Sequence, residues 1–233
     1  MRNLARLFLR TGRALLVAPT RWRASEWALC AAFLAGLAVA WSNERPFQAL
    51  VEGRGGNIAG VVARLANLAG SGTAVTLLGL GALLLGHVLR KDALVRATVV
   101  LAVAGAWAFL LVDAGQFVLA EQRPLEGGAM RFLASGGHGV SGHAAATALL
   151  VLPVREVWLR RATPLSRLLA TVSLSIWCGV VGWSRVWMGM HFAWNVLAGA
   201  AIGLWASSSA VAAWRESSPP ERERPEPVAA TDR

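Results

Sequence analysis

"SRVWMGMHFAWN", residues 184–195, joins one apolar run to the next and carries Arg185 and His191 where lipid-facing segments avoid charge. Ionisable groups at such a joint belong to a site at the membrane edge. Working outward, the chain offers six apolar runs long enough to cross about 30 Å of hydrocarbon: 26–41, 73–89, 97–119, 142–159, 167–183 and 191–214. Each is expected to be a helix.

Composition agrees with a membrane chain. Of 233 residues 55% are hydrophobic and only 15% charged, and mean hydropathy is +0.50, outside the habit of soluble domains. Cys30 and Cys178 lie in apolar stretches without ligand spacing, so they indicate neither a disulfide framework nor a metal site. The net charge of +10 is read as membrane anchoring and excludes nucleic acid as a partner, because the Arg residues flank apolar runs. Trp22, Trp27 and Trp41 around the first run and Trp214 at the end of the last fit interfacial belts.

Residues 1–25 form a basic amphipathic leader suited to an anionic leaflet, long for a signal sequence, although "AVA" at 38–40 resembles a cleavage site and leaves cleavage of the first run open. Residues 26–214 form the membrane domain, in which 42–72 is more polar and holds a short interfacial helix. Residues 215–233 are a Pro- and charge-rich tail. A cytoplasmic N-terminus places the Arg cluster of the leader, Arg90, Lys91, Arg96, then Arg155, Arg160, Arg161, Arg167 and the basic residues of the tail inside. Arg45, Arg54, Arg64, Arg123, Arg131 and Arg185 remain outside. The expected topology is a plasma-membrane, multi-pass protein with both termini cytoplasmic and the chemistry extracytoplasmic.

Three stretches converge on that outer face: "QFVLAEQRP" (116–124), "GHGVSGHAAATALL" (137–150) and "SRVWMGMHFAWN". Ser141, Gly142 and His143 stand at a helix N-terminus, where free N–H groups and the helix dipole favour an anion. Arg123 and Arg185 can each fork two N–H groups onto phosphate oxygens. Two histidines allow a division of labour, one attacking phosphorus while the other protonates the leaving oxygen.

These residues resemble the type 2 phosphatidic acid phosphatase (PAP2) superfamily, whose pattern is K-x6-RP, then PSGH, then SR-x5-H-x3-D on a six-helix core. The chain reads Q-x6-RP, VSGH and SR-x5-H-x3-N in the same order, over about residues 70–214. The resemblance implies an all-α membrane protein, a six-transmembrane-helix bundle of PAP2 type. It implies a metal-independent phosphatase without cofactor, acting on a lipid phosphate or diphosphate in the bilayer. By position, His191 would form the phosphohistidine and His143 would be the general acid. Arg123, Arg185, Ser141 and the Gly142 amide would hold the phosphoryl oxygens.

Two positions depart from the pattern. Gln116 stands where a Lys would lend a third positive charge to the phosphate site, a charge that Arg131 is a candidate to replace. Asn195 stands where an Asp would orient the nucleophile. On a helix, positions 191 and 195 share a face, so Asn195 Oδ1 is expected to accept from His191 Nδ1–H without offsetting the charge that builds on the ring. Two alternatives stay open: a phosphotransferase on the same site, and a low-activity lipid-phosphate binding or scaffold protein. Polyprenyl diphosphate, phosphatidic acid, phosphatidylglycerol phosphate and lipid A phosphates are not separated by the motifs. His87 and His138 are read as interfacial anchors, whereas Asp113, inside the third run, needs a partner.

Overall fold

The computed structural model describes residues 2–17, 24–51, 58–124, 130–132 and 138–217. Ten helical segments follow in order: α1 (Arg2–Val17), α2 (Ala24–Ser42), α3 (Glu44–Val51), α4 (Ile58–Ala69), α5 (Gly72–Val88), α6 (Asp92–Val118), α7 (Gly142–Ala148), α8 (Val151–Pro153), α9 (Pro164–Trp187) and α10 (Ala193–Ser217). Among the described residues α6, α9 and α10 are long and apolar enough to cross a membrane. A fourth crossing exists if α4 and α5, bent by 55° at Gly70–Ser71, form one span.

Two expectations need correction. The run 142–159 is not one helix: α7 is followed by α8 and a π-helical turn, Val154–Trp158. Pro153 has no N–H to give the Leu149 carbonyl and its ring crowds that turn, so the ladder widens until Leu159 N–H reaches Val154 O at 2.9 Å. The chain is also not purely helical. Leu119–Glu121 (β1) and Met130–Phe132 (β2) pair antiparallel, with Ala120 opposite Arg131. Extended chain leaving α6 exposes backbone groups that no helix satisfies, and a two-stranded ladder satisfies them. The Arg131 side chain, the whole polar stretch 52–56 and tail residues 218–233 lie outside the described residues.

The core lies between α6 and α10, with Val100, Ala104, Ala206 and Ala210 buried at their contact. Small residues let the two backbones approach closely, as helices in lipid require. Large apolar side chains such as Leu77, Leu84, Phe109, Leu168 and Ile176 point outward. Such a surface suits hydrocarbon rather than water. The leader is amphipathic as expected, but its apolar face covers protein: Leu7, Thr11 and Leu15 are buried, and Phe8 stacks on Trp107 of α6 at 4.8 Å. Trp107 Nε1 donates to the Phe8 carbonyl at 3.0 Å, and Arg6, Arg10 and Arg13 stay exposed. At the end of the bundle where α9 begins and α10 finishes, Glu156 gathers Arg155, Arg167 and Arg215. Three cations that the charge pattern assigned to one side therefore meet on one carboxylate.

Candidate active site

The site is built at the opposite end of the bundle, where α7 starts, α9 stops and α10 starts. Ser141 caps α7, its hydroxyl accepting from Ala144 N–H, so that Gly142 and His143 form the first turn. What holds this turn against α10 is the absence of side chains. A Cβ at Gly199 would sit 2.2 Å from the Ser141 carbonyl oxygen, and one at Gly203 would sit 2.3 Å from that of Ala145. Ser141 N–H donates to the Asn195 carbonyl at 3.0 Å, joining the two helix starts directly.

His191 lies outside the helices. After α9 the chain turns at Gly189, whose φ of 62° favours glycine, and the N–H groups of Met190 and His191 both donate to the Arg185 carbonyl. Arg185 and His191 are thereby fixed to one turn. Arg185, buried, donates to Asn67 Oδ1 of α4, while its Nε makes no hydrogen bond among the described residues. Gln48 of α3 donates to the Val186 carbonyl at 2.8 Å. The polar stretch 42–72 thus supplies two braces to the site, and nothing in their spacing marks them in the sequence.

Electrostatics show the convergence. Burial first, and then the fields of Arg185, His143, His138 and Arg123, push the His191 imidazole down to about 3. All four groups therefore lie within electrostatic reach of His191, including His138, which the sequence leaves among the interfacial anchors. Neutral His191 keeps a ring lone pair at ordinary pH. The cationic surroundings are those that a phosphate dianion would neutralise.

Asn195 does not orient His191. Because α10 begins at Ala193, positions 191 and 195 do not share a helix face, and Asn195 is the third residue of the helix. Its Oδ1 reaches back to accept from Phe192 N–H at 2.8 Å, the reciprocal half of a capping box. Its Nδ2 donates to Glu121 Oε2 at 2.9 Å, and His191 Nδ1 is buried without a partner among the described residues. Asn195 and Glu121 are only 1% and 2% exposed. Glu121 is a site residue that motif reading missed, although it stands two positions before Arg123. Burial pushes its carboxyl up to about 7; Glu44 pushes the same way, and the Asn195 hydrogen bond opposes it.

Gln116 also differs from its expected role, since its Nε2 donates to the Val140 carbonyl at 2.8 Å. It ties α6 to the approach of the Ser141–His143 turn and commits one of its two amide hydrogens there. No group of His, Cys, Asp and Glu among the described residues has the arrangement of a metal site.

Comparison with known proteins places this geometry. The PAP2 superfamily family model matches residues 116–218, from Gln116 to just past the end of α10. No curated protein matches the chain by sequence. Among solved structures, the crystal structure of the first transmembrane PAP2 type phosphatidylglycerolphosphate phosphatase from Bacillus subtilis is similar at 17% identity and a TM-score of 0.52. The match covers 96% of this chain and 100% of that one, and it is a likeness of fold. Through residues 116–218, which hold all three motifs and the helix starts that bring them together, the chain carries a PAP2-superfamily region.

Proposed function

We propose that the protein is a membrane lipid-phosphate phosphatase working through a phosphohistidine at the extracytoplasmic face. The observation that carries this reading is the joining of the helix starts: Ser141 N–H on the Asn195 carbonyl and the Met190 and His191 N–H groups on the Arg185 carbonyl bring the turns that hold His143, Arg185 and a buried His191 to one end of the bundle, within reach of the field of Arg123. When a phosphate monoester binds, its negative charge lets His143 take up a proton from solvent; in the first step the Nε2 lone pair of His191 attacks phosphorus, the P–O ester bond breaks, and the His143 imidazolium gives that proton to the departing alkoxide. In the second, His143 takes a proton from water, the hydroxide attacks phosphorus, and the P–N bond breaks to release inorganic phosphate. Arg123, Arg185, the Ser141 hydroxyl and the Gly142 amide hold the phosphoryl oxygens as charge builds on them.

The test is phosphate release from a panel of lipid phosphates and diphosphates by the purified protein in detergent, with EDTA present. Phosphatidylglycerol phosphate belongs in the panel. His191→Ala is expected to abolish both turnover and acid-labile phosphoenzyme. Phosphoenzyme trapped on His191→Ala would overturn the assignment. Cysteine at Met188 is expected to react with an impermeant reagent from outside, and cysteine at Arg160 only after permeabilisation; the reverse would move the chemistry inside.

One observation favours a second reading. His191 Nδ1 has no hydrogen-bond partner among the described residues, so the unliganded site orients its nucleophile poorly. A lipid-phosphate binding protein of low turnover fits that state. Saturable binding with phosphate release no faster than from His191→Ala would decide for it.

A further inference from the structure

Asp113 is the unexplained group of this fold. It lies in α6, inside a membrane-spanning helix, is exposed from the protein interior, and has no hydrogen bond or ion pair among the described residues. A carboxylate at such a depth is costly without a donor and marks a functional position. It opens into a cavity of about 910 Å³ between α5, α6 and α7, whose outer end is formed by Gln116, Gly142 and His143. The cavity continues along apolar walls past Phe109 to Val99, so it follows α6 for roughly 25 Å at 1.5 Å per residue.

Position along that cavity assigns the donor. Asp113 is one helical turn further from the phosphate site than Gln116, and the two Cβ atoms of such a pair lie about 5–6 Å apart. With one Nε2 hydrogen held by Val140, Gln116 keeps its second amide N–H and presents Oε1 as an acceptor on the cavity wall it shares with Asp113. The wall just beyond His143 therefore presents a carboxylate and an amide oxygen. A second phosphate there would meet negative charge, whereas a hydroxyl or ammonium would give both oxygens a partner.

We infer that Asp113 and Gln116 Oε1 form a subsite for the alcohol side of the substrate, selecting phosphomonoesters with a hydrogen-bond donor one or two carbons from the scissile ester, and disfavouring diphosphates. The inference rests on the phosphatase reading for the place of the phosphate. It adds the identity of the group next to it.

The test uses the full chain in detergent and three lipids of matched chain length: a 1-acylglycerol 3-phosphate with its free hydroxyl, an alkyl phosphate without one, and a prenyl diphosphate. The kcat/KM for the hydroxyl-bearing monoester is expected to exceed that for the alkyl phosphate by about tenfold or more, the worth of one hydrogen bond to a charged group. The diphosphate is expected to be worst. Asp113→Asn should shrink the first ratio several-fold, and Gln116→Lys should raise the diphosphate relative to both monoesters. If no lipid releases phosphate faster than with His191→Ala, the phosphatase reading fails. Dissociation constants for the same three lipids by titration calorimetry then carry the comparison. A wild-type preference within twofold in either measurement, or one that Asp113→Asn and Asp113→Glu both leave unchanged, overturns the subsite.

Discussion

Asn195→Asp, which would restore the residue of the family pattern, is expected to harm this protein. In the structure the Asn195 amide donates to Glu121 across 2.9 Å in a site from which water is nearly excluded. An Asp side chain would remove that donor and set two carboxylates against each other. At about 4 Å and an effective dielectric of 20, two unit charges repel by about 4 kcal/mol. Glu121 already titrates near 7, so the pair would hold one proton through neutral pH and release it only in the alkaline range. Compensation should come from the other side. In the Glu121→Gln, Asn195→Asp double variant the new amide donates to the new carboxylate, and that carboxylate still accepts from Phe192 N–H at the positive end of α10. A double-mutant cycle read by thermal unfolding in detergent at pH 8 should give a coupling of about 2–4 kcal/mol, with the double variant above Asn195→Asp by about 5–10 °C. Phosphate release should recover in the same order. Additive effects within about 0.5 kcal/mol, or an Asn195→Asp protein as stable at pH 8 as the wild type, would refute the pairing of Glu121 with Asn195.

The pH dependence of stability should carry the signature of Glu121. Its folded-state value is raised from 4.5 to about 7, so its contribution is complete below 4.5 and is lost as pH rises through 7. His191, pushed down to about 3, acts in the opposite sense: its contribution is present above 6.5 and is lost as pH falls toward 3. The two are separated by comparing wild type with Glu121→Gln, whose unfolding free energy should gain about 1–3 kcal/mol on the wild type between pH 4.5 and 8; parallel curves would remove Glu121 from the account. Gly199→Ala brings a methyl to 2.2 Å from the Ser141 carbonyl, so α7 must shift and carry His143 with it. A destabilisation of about 1–3 kcal/mol with a larger proportional loss of phosphate release is expected; unchanged release would show that the α7–α10 contact does not set the distance between the histidines.

The long apolar runs were readable because a helix in lipid needs little more than length and apolar character, and α6, α9 and α10 are where the sequence puts them. The motif histidines and arginines stand out in the sequence because their order and spacing follow a fixed pattern. Pro153 marks in the sequence where the fourth run breaks, but length and apolar character, which define the run, do not register a single residue. The role of Asn195 depends on where α10 starts, two residues after His191, and helix ends are the least legible feature of any sequence. Glu121, Asn67 and Gln48 belong to no motif; each touches the site from 74, 118 or 138 residues away from its partner in the chain. Sequence by itself determined the kind of solvent this chain lives in and which side chains make up the motifs, because hydropathy and local spacing are properties of the chain. The carboxylate held by Asn195, the braces on the Arg185 turn and the cavity below His143 were decided only by tertiary structure, because a buried polar group takes whatever donor or acceptor packing brings near it.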